Sequence, residues 1–142
     1  MLLGESVQKL DAKNRVTLPA RFREHFADGV VVTKGFESCL SVYSPGDWER
    51  FTESRLGELD PFSREGRQVS RFLYAGAWET ELDRQGRVML PAMHLKHAGL
   101  EREIVVAGLR DRLEIWSVDA WRAQEAESEG SVADVAQSLT QQ

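Results

Sequence analysis

Two short runs of this chain carry the residue types that could do chemistry, and they match each other. The first reads Asp11-Ala12-Lys13-Asn14-Arg15-Val16-Thr17-Leu18-Pro19, the second Asp83-Arg84-Gln85-Gly86-Arg87-Val88-Met89-Leu90-Pro91. Each sets an acid four positions before an arginine, across a stretch of turn composition. In single copy such a pair is usually structural, because exposed ion pairs are worth only about 0–1 kcal/mol. Duplication alters the weighting. Two equivalent turns in a pseudo-symmetric unit offer two arginines, as a dimeric DNA-binding protein offers two reading heads. Arginine suits bidentate contact with guanine or phosphate. Arg15 and Arg87 are therefore the candidate DNA-contacting residues, with Lys13 and Arg84 as phosphate partners. Asp11 and Asp83 would orient the arginines. Asn14 and Gly86 would supply the left-handed turn, which both residue types tolerate.

Other reactive side chains read more plainly. His94 and His97 stand three apart, but no carboxylate or Cys follows at ligand spacing, so they read as helix-surface histidines rather than a metal site. Cys39 falls on an expected strand and reads as a small buried hydrophobe. Glu79 and Glu81 read as the solvent face of a strand, and Trp48, Trp116 and Trp121 as core or interface anchors. With no Gly-rich phosphate loop and no Ser/His/Asp arrangement, the reading is no enzyme, no cofactor and no small-molecule substrate.

The elements that must position the two turns also come twice. Residues 5–10 read as a strand, 15–18 as a second strand, and 20–26 as a helix with Phe22 and Phe26 on one face and Pro19 at its first position. Residues 30–33 read as a buried strand, 39–43 as a half-exposed one, and Ser44-Pro45-Gly46-Asp47 as a helix start. At an offset of 72, Gly4 meets Gly76, Leu10 meets Leu82, Pro19 meets Pro91 and His25 meets His97. At an offset of 73, Gly35 meets Gly108, Leu40 meets Leu113, Ser44 meets Ser117 and Trp48 meets Trp121. This is a tandem repeat. Its expected division is residues 1–58, a connecting helix at 59–75, a second repeat at 76–124, and an acidic tail at 125–142 read as a frayed helix or flexible segment. Each repeat is too small to hold a comfortable core alone, so the two should pair into one pseudo-two-fold domain.

At 142 residues, with one cysteine, the chain fits a single domain suited to a reducing compartment. Met1-Leu2-Leu3 runs at once into Gly4-Glu5, unlike a secretory signal, and no apolar run approaches the roughly 20 residues of a spanning helix. The net charge of −5 weighs mildly against nucleic acid, yet it averages a gradient. Residues 1–26 hold Lys9, Lys13, Arg15, Arg21 and Arg23 against three acids, whereas residues 119–142 hold Arg122 against five. A positive face can coexist with an acidic tail.

The runs Leu10-Asp11-Ala12-Lys13-Asn14-Arg15, Leu18-Pro19-Ala20-Arg21-Phe22-Arg23 and Leu82-Asp83-Arg84-Gln85-Gly86-Arg87, with Gly4 and Leu90-Pro91-Ala92, carry a resemblance over about residues 1–125. They resemble the MraZ family of bacterial transcriptional regulators, built from two swapped-hairpin units of the SpoVT/AbrB type. The resemblance implies an α+β fold, two such repeats sharing a small β-barrel or sheet with peripheral helices. It also implies double-stranded DNA as partner, contacted by Arg15 and Arg87, and a closed homo-oligomeric ring. The implied targets are short tandem G-rich repeats upstream of the cell-division and cell-wall gene cluster, including the protein's own gene. The implied location is cytoplasmic and nucleoid-associated. One departure is Asn14, where the family more often has Gly. Two alternatives stand beside this reading: an antitoxin-like DNA binder that also holds a protein partner through its tail, and a purely structural assembly protein.

Overall fold

Each half of the chain lends its first strand to the other. The computed structural model describes residues 1–141. The first pass is β1 (Leu2–Lys9), β2 (Arg15–Thr17), α1 (Ala20–Arg23), β3 (Val30–Lys34), β4 (Leu40–Tyr43) and α2 (Pro45–Phe51). A 3-10 turn (Glu24–Phe26) extends α1, and a π-helical turn (Thr52–Leu56) extends α2. The bridge is α3 (Arg64–Ser70), extended by a second π-helical turn (Arg71–Ala75). The second pass is β5 (Trp78–Thr80), β6 (Arg87–Met89), α4 (Ala92–Ala98), β7 (Glu103–Arg110), β8 (Leu113–Ser117) and α5 (Val118–Ser128), followed by α6 (Val132–Thr140).

The main sheet has six antiparallel strands in the order β1-β7-β8-β4-β3-β5, and a separate ribbon pairs β2 with β6. Read from either end, the sheet order exchanges equivalent strands: β1 for β5, β7 for β3, β8 for β4. The register obeys the same axis. In the ribbon Val16 faces Val88, so Arg15 faces Met89 and Thr17 faces Arg87. At the sheet centre Ser41 faces Glu114, flanked by Leu40 against Ile115 and Val42 against Leu113. The pseudo-two-fold axis therefore passes through the Val16–Val88 and Ser41–Glu114 pairs. This is an α+β fold of two swapped-hairpin repeats.

The swap explains how two small units share one core. Val16, Leu18, Phe22, Phe26, Val30 and Val32 from the first pass join Val88, Leu90, Ile104, Val106, Leu113 and Ile115 from the second in a single buried cluster. A fully buried Val, Leu, Ile or Phe contributes about 1.5–3 kcal/mol, so separating the repeats would expose most of the driving force. Local chemistry agrees with this plan. Ser44, Ser63 and Ser117 cap α2, α3 and α5 by accepting from the N–H of Asp47, Gly66 and Ala120 at 3.2, 2.9 and 3.1 Å. Gly99 ends α4 in the left-handed conformation.

Three expectations need correction. Pro19 caps α1 with an extended backbone instead of opening it, so Ala20 is the first helical residue. The strand expected to be half-exposed, β4, is buried at all four positions because it lies at the sheet centre. On its outer side Tyr43 stacks on Phe51, ring centroids 5.3 Å apart. His94 is not a surface histidine: it is buried, its Nε2 lies 2.7 Å from Gly76 O, and burial lowers its pKa. Within residues 125–141, α5 runs on to Ser128 and α6 spans Val132–Thr140, with a turn at 129–131; Gln142 lies outside the described residues. Ala133, Ala136 and Leu139 are good helix formers within α6.

Candidate nucleic-acid interface

The ribbon of β2 and β6 places both arginines on one surface. Side chains alternate along a strand, and Val16 and Val88 are fully buried. Arg15, Thr17, Arg87 and Met89 must then share the outward face. Arg15 faces Met89 and Arg87 faces Thr17, so the arginines are diagonal neighbours, roughly 7–8 Å apart at Cα. Thr17 and Met89 are members of this face that the motif alone did not point to. Their shared parity with Arg15 and Arg87 was the signal that could have found them.

Each arginine is held in the same way. Asp11 Oδ1 accepts from the N–H of Lys13 and of Arg15, both at 2.9 Å, and Oδ2 accepts from Arg15 Nε at 2.6 Å. Asp83 repeats this with Gln85 N and Arg87 N at 2.9 Å and Arg87 Nε at 2.7 Å. One carboxylate thus closes the turn with its first oxygen and aims the arginine with its second. Because only Nε is engaged by the carboxylate, the Nη end of each guanidinium points away from the clamp. Lys13 and Arg84 are exposed on the same two turns.

Each turn is also tied to the opposite repeat. Leu18 N–H donates to Gly86 O at 2.9 Å, and Leu90 N–H donates to Asn14 O at 3.0 Å. These bonds are equivalent under the axis and fix one turn relative to the other. Asn14 and Gly86 both take positive φ, 58° and 75°. They are not interchangeable. A Cβ at Gly86 would stand 2.2 Å from Arg23 Nε, which itself donates to Leu18 O at 3.0 Å. The position equivalent to Arg23 is Leu95, packed against the core. Glycine is retained on the side where the guanidinium lies.

A second difference lies at the guanidinium tips. Gln85 Oε1 accepts from Arg87 Nη2 at 3.1 Å, whereas the equivalent residue in the first turn is Lys13, which cannot accept. The two reading heads share one frame and differ in their flanking chemistry.

Both clamp carboxyls titrate low. For Asp11 the leading cause is the hydrogen bond from Arg15 N–H; desolvation comes next and opposes it, and the Arg15 side chain and Lys13 N–H add to the lowering. For Asp83 desolvation opposes ionisation, but the Arg87 and Gln85 bonds outweigh it. A lowered folded pKa means that the clamp's stabilisation is full above the ordinary carboxylate value of 3.8 and is lost as pH falls through the lower folded value. Asp11→Asn and Asp83→Asn should therefore remove stabilisation at neutral pH and flatten the acid limb of the unfolding profile. Thermal melts from pH 7 down to pH 2 check this; an acid limb identical to wild type would contradict it.

The remaining candidates are not brought to this face. Cys39 is buried, and desolvation with nearby Glu114 and Glu37 pushes its thiol up to about 12, so it is a packing residue. His97 Nε2 lies 2.9 Å from Gly35 O and 3.1 Å from Glu37 O, holding the β3–β4 loop. Among the described residues no group of three His, Cys, Asp or Glu could hold a metal, and no helix is long and apolar enough to cross a membrane.

The chain is matched by known sequences, and its duplication with it. The family described as "MraZ protein, putative antitoxin-like" matches this chain twice, over residues 1–72 and 73–142. The chain belongs to the MraZ family. Among its relatives, a protein of Alkaliphilus metalliredigens named "Transcriptional regulator MraZ" is 40% identical over 136 residues, covering 96% of this chain and 94% of its own. Proteins of the same name from Thermoanaerobacter sp. and Caldicellulosiruptor saccharolyticus are 38% and 39% identical over 139 residues, each covering 98% of this chain and 96% of its own. The twofold family match coincides with the twofold symmetry of the ribbon.

Proposed function

We propose that this member of the MraZ family is a sequence-specific DNA-binding transcriptional regulator whose β2–β6 ribbon enters the major groove. The observation that carries the proposal is the shared outward face of the ribbon, on which Arg15 and Arg87 are held by matching carboxylate clamps about a pseudo-two-fold axis. The major groove, about 12 Å wide, admits a two-stranded β-ribbon, and arginine reads guanine O6 and N7 there. The names of its relatives support a regulatory role, which is not an enzymatic one.

The finer reading is that it acts on short tandem G-rich repeats upstream of the cell-division and cell-wall gene cluster, its own gene included. Two arginines read few base pairs, and each good contact is worth about 1–3 kcal/mol of discrimination. A single chain with net charge −5 would bind weakly. A closed homo-oligomeric ring facing tandem repeats gains by raising effective concentration without any new contact, and such a ring would be found on the nucleoid.

The test is retardation of a G-rich tandem-repeat duplex against a shuffled duplex over a range of salt. Preferential, salt-sensitive binding supports the proposal; equal binding to both duplexes sinks it. Lys13→Ala and Arg84→Ala should each weaken binding to both duplexes alike. Each lost phosphate contact should reduce the slope of log K against log salt by about 0.9. A changed preference with an unchanged slope would move these residues from phosphate to base contact.

A further inference from the structure

The two turns share a clamp but not its surroundings, and the difference falls on the guanidinium tips. Arg87 donates through Nε to Asp83 Oδ2 at 2.7 Å and through Nη2 to Gln85 Oε1 at 3.1 Å. The Nε and Nη2 donors lie on one edge of the planar group, so two acceptors on that edge hold the plane in one orientation. The brace is itself anchored, because Gln85 N–H donates to Asp83 Oδ1 at 2.9 Å. Arg15 donates through Nε alone, to Asp11 Oδ2 at 2.6 Å, and among the described residues no side chain accepts from either of its Nη groups. In the place of Gln85 stands Lys13, which carries donors only.

The difference matters because the two kinds of DNA contact make different geometric demands. A guanidinium has N–H donors on Nε and on both Nη groups. After its two bonds Arg87 keeps one donor on Nη2 and both on Nη1, the end-on pair that can span guanine O6 and N7. A phosphate accepts from many directions, whereas those two base acceptors need a fork lying in the plane of the base. Holding the plane beforehand therefore favours base contact over backbone contact. It also removes the ordering cost of a long side chain, which weakens binding by about two- to tenfold. Arg15 must order its tip on binding, and the Lys13 charge beside it acts on any sequence.

We propose that Gln85 is a positioning residue for DNA recognition, bracing Arg87 so that the turn at Asp83 reads its base more strictly than the turn at Asp11. Both arginines remain necessary. The inequality comes from one exchange within the duplicated motif, Gln85 in the second copy for Lys13 in the first. The role rests on the DNA-binding reading above and adds to it a residue that touches the arginine, not the DNA. Gln85 is exposed, and the hydrogen bond of its side chain is the one from Arg87. Removing that side chain therefore leaves the Asp83 clamp and the core as they are.

Arginine side-chain NMR on the full chain without DNA reads the brace directly. Rotation about Nε–Cζ, seen as exchange between the two Nη groups, should be slower for Arg87 than for Arg15. Gln85→Ala should bring Arg87 to the Arg15 rate, and Gln85→Glu, which keeps an acceptor, should preserve the slow rate. In retardation, Gln85→Ala should lower the ratio of G-rich tandem-repeat to shuffled duplex affinity about two- to tenfold. Native mass and Tm should stay at wild type, which separates positioning from a structural role. Equal rotation rates in the wild type overturn the proposal, as does an Arg87 rate that Gln85→Ala leaves unchanged. A wild-type affinity ratio in Gln85→Ala also overturns it, and all three results leave the DNA reading standing. A wild type with no preference between the duplexes sinks the DNA reading, and the recognition role of Gln85 falls with it.

Discussion

Arg15→Ala and Arg87→Ala should each abolish preferential retardation of a repeat-bearing duplex while leaving native mass and the unfolding transition close to wild type. Both arginines belong to the outer face of the ribbon and neither is part of the buried core cluster, although their side chains are only 27% and 26% exposed. Surface ion pairs contribute little to stability, and each aspartate keeps its two backbone N–H bonds after the side chain is cut. The effect on recognition is much larger. Losing a bidentate contact of about 1–3 kcal/mol lowers discrimination roughly 5- to 150-fold per site, and an assembly engaging several repeats multiplies that loss. Arg15→Lys should not restore preference, because an ammonium keeps the charge without the planar fork. The ratio of repeat-bearing to shuffled DNA affinity is the quantity to measure. A ratio unchanged in both alanine variants would remove these arginines from the reading surface.

Gly86→Ala should destabilise the protein, whereas Asn14→Gly at the equivalent position should be near neutral. An L-residue at φ 75° costs roughly 1–2 kcal/mol. The new Cβ would also meet Arg23 Nε at 2.2 Å and Cδ at 2.5 Å. Arg23 must then leave Leu18 O, losing a bond worth about 1 kcal/mol. Together these predict a loss of about 2–3 kcal/mol. Asn14 already occupies the left-handed region at small cost, so glycine there trades relief of strain against backbone entropy. Urea unfolding of the two variants measures both effects. Equal losses at the two positions would contradict the role given to Arg23.

Arg23 shows where sequence reading stops. The turn at Asp83 to Arg87 was legible from its residue types, and so was the need for a left-handed residue at position 86. That the neighbour across the axis is an arginine side chain required the second repeat to be folded against the first. His94 makes the same point. A histidine three residues from another on a helix reads as exposed, and only the position of the Gly76 carbonyl gives it a buried partner. The buried outer side of β4 likewise depends on α2 aromatics arriving from later in the chain.

By itself the sequence determined that the chain is a duplication, which residues are equivalent, and that acid and arginine recur together on turns. Those properties are local: residue type, spacing and offset depend on no distant contact. Tertiary structure decided which strands exchange and that β2 meets β6 in a register centred on Val16 and Val88. Strand pattern alone does not choose between a strand's own repeat and its twin, because the two repeats offer equivalent strands in the same order. Only simultaneous burial of both halves in one core selects the swap, and the swap is what brings Arg15 and Arg87 to one face.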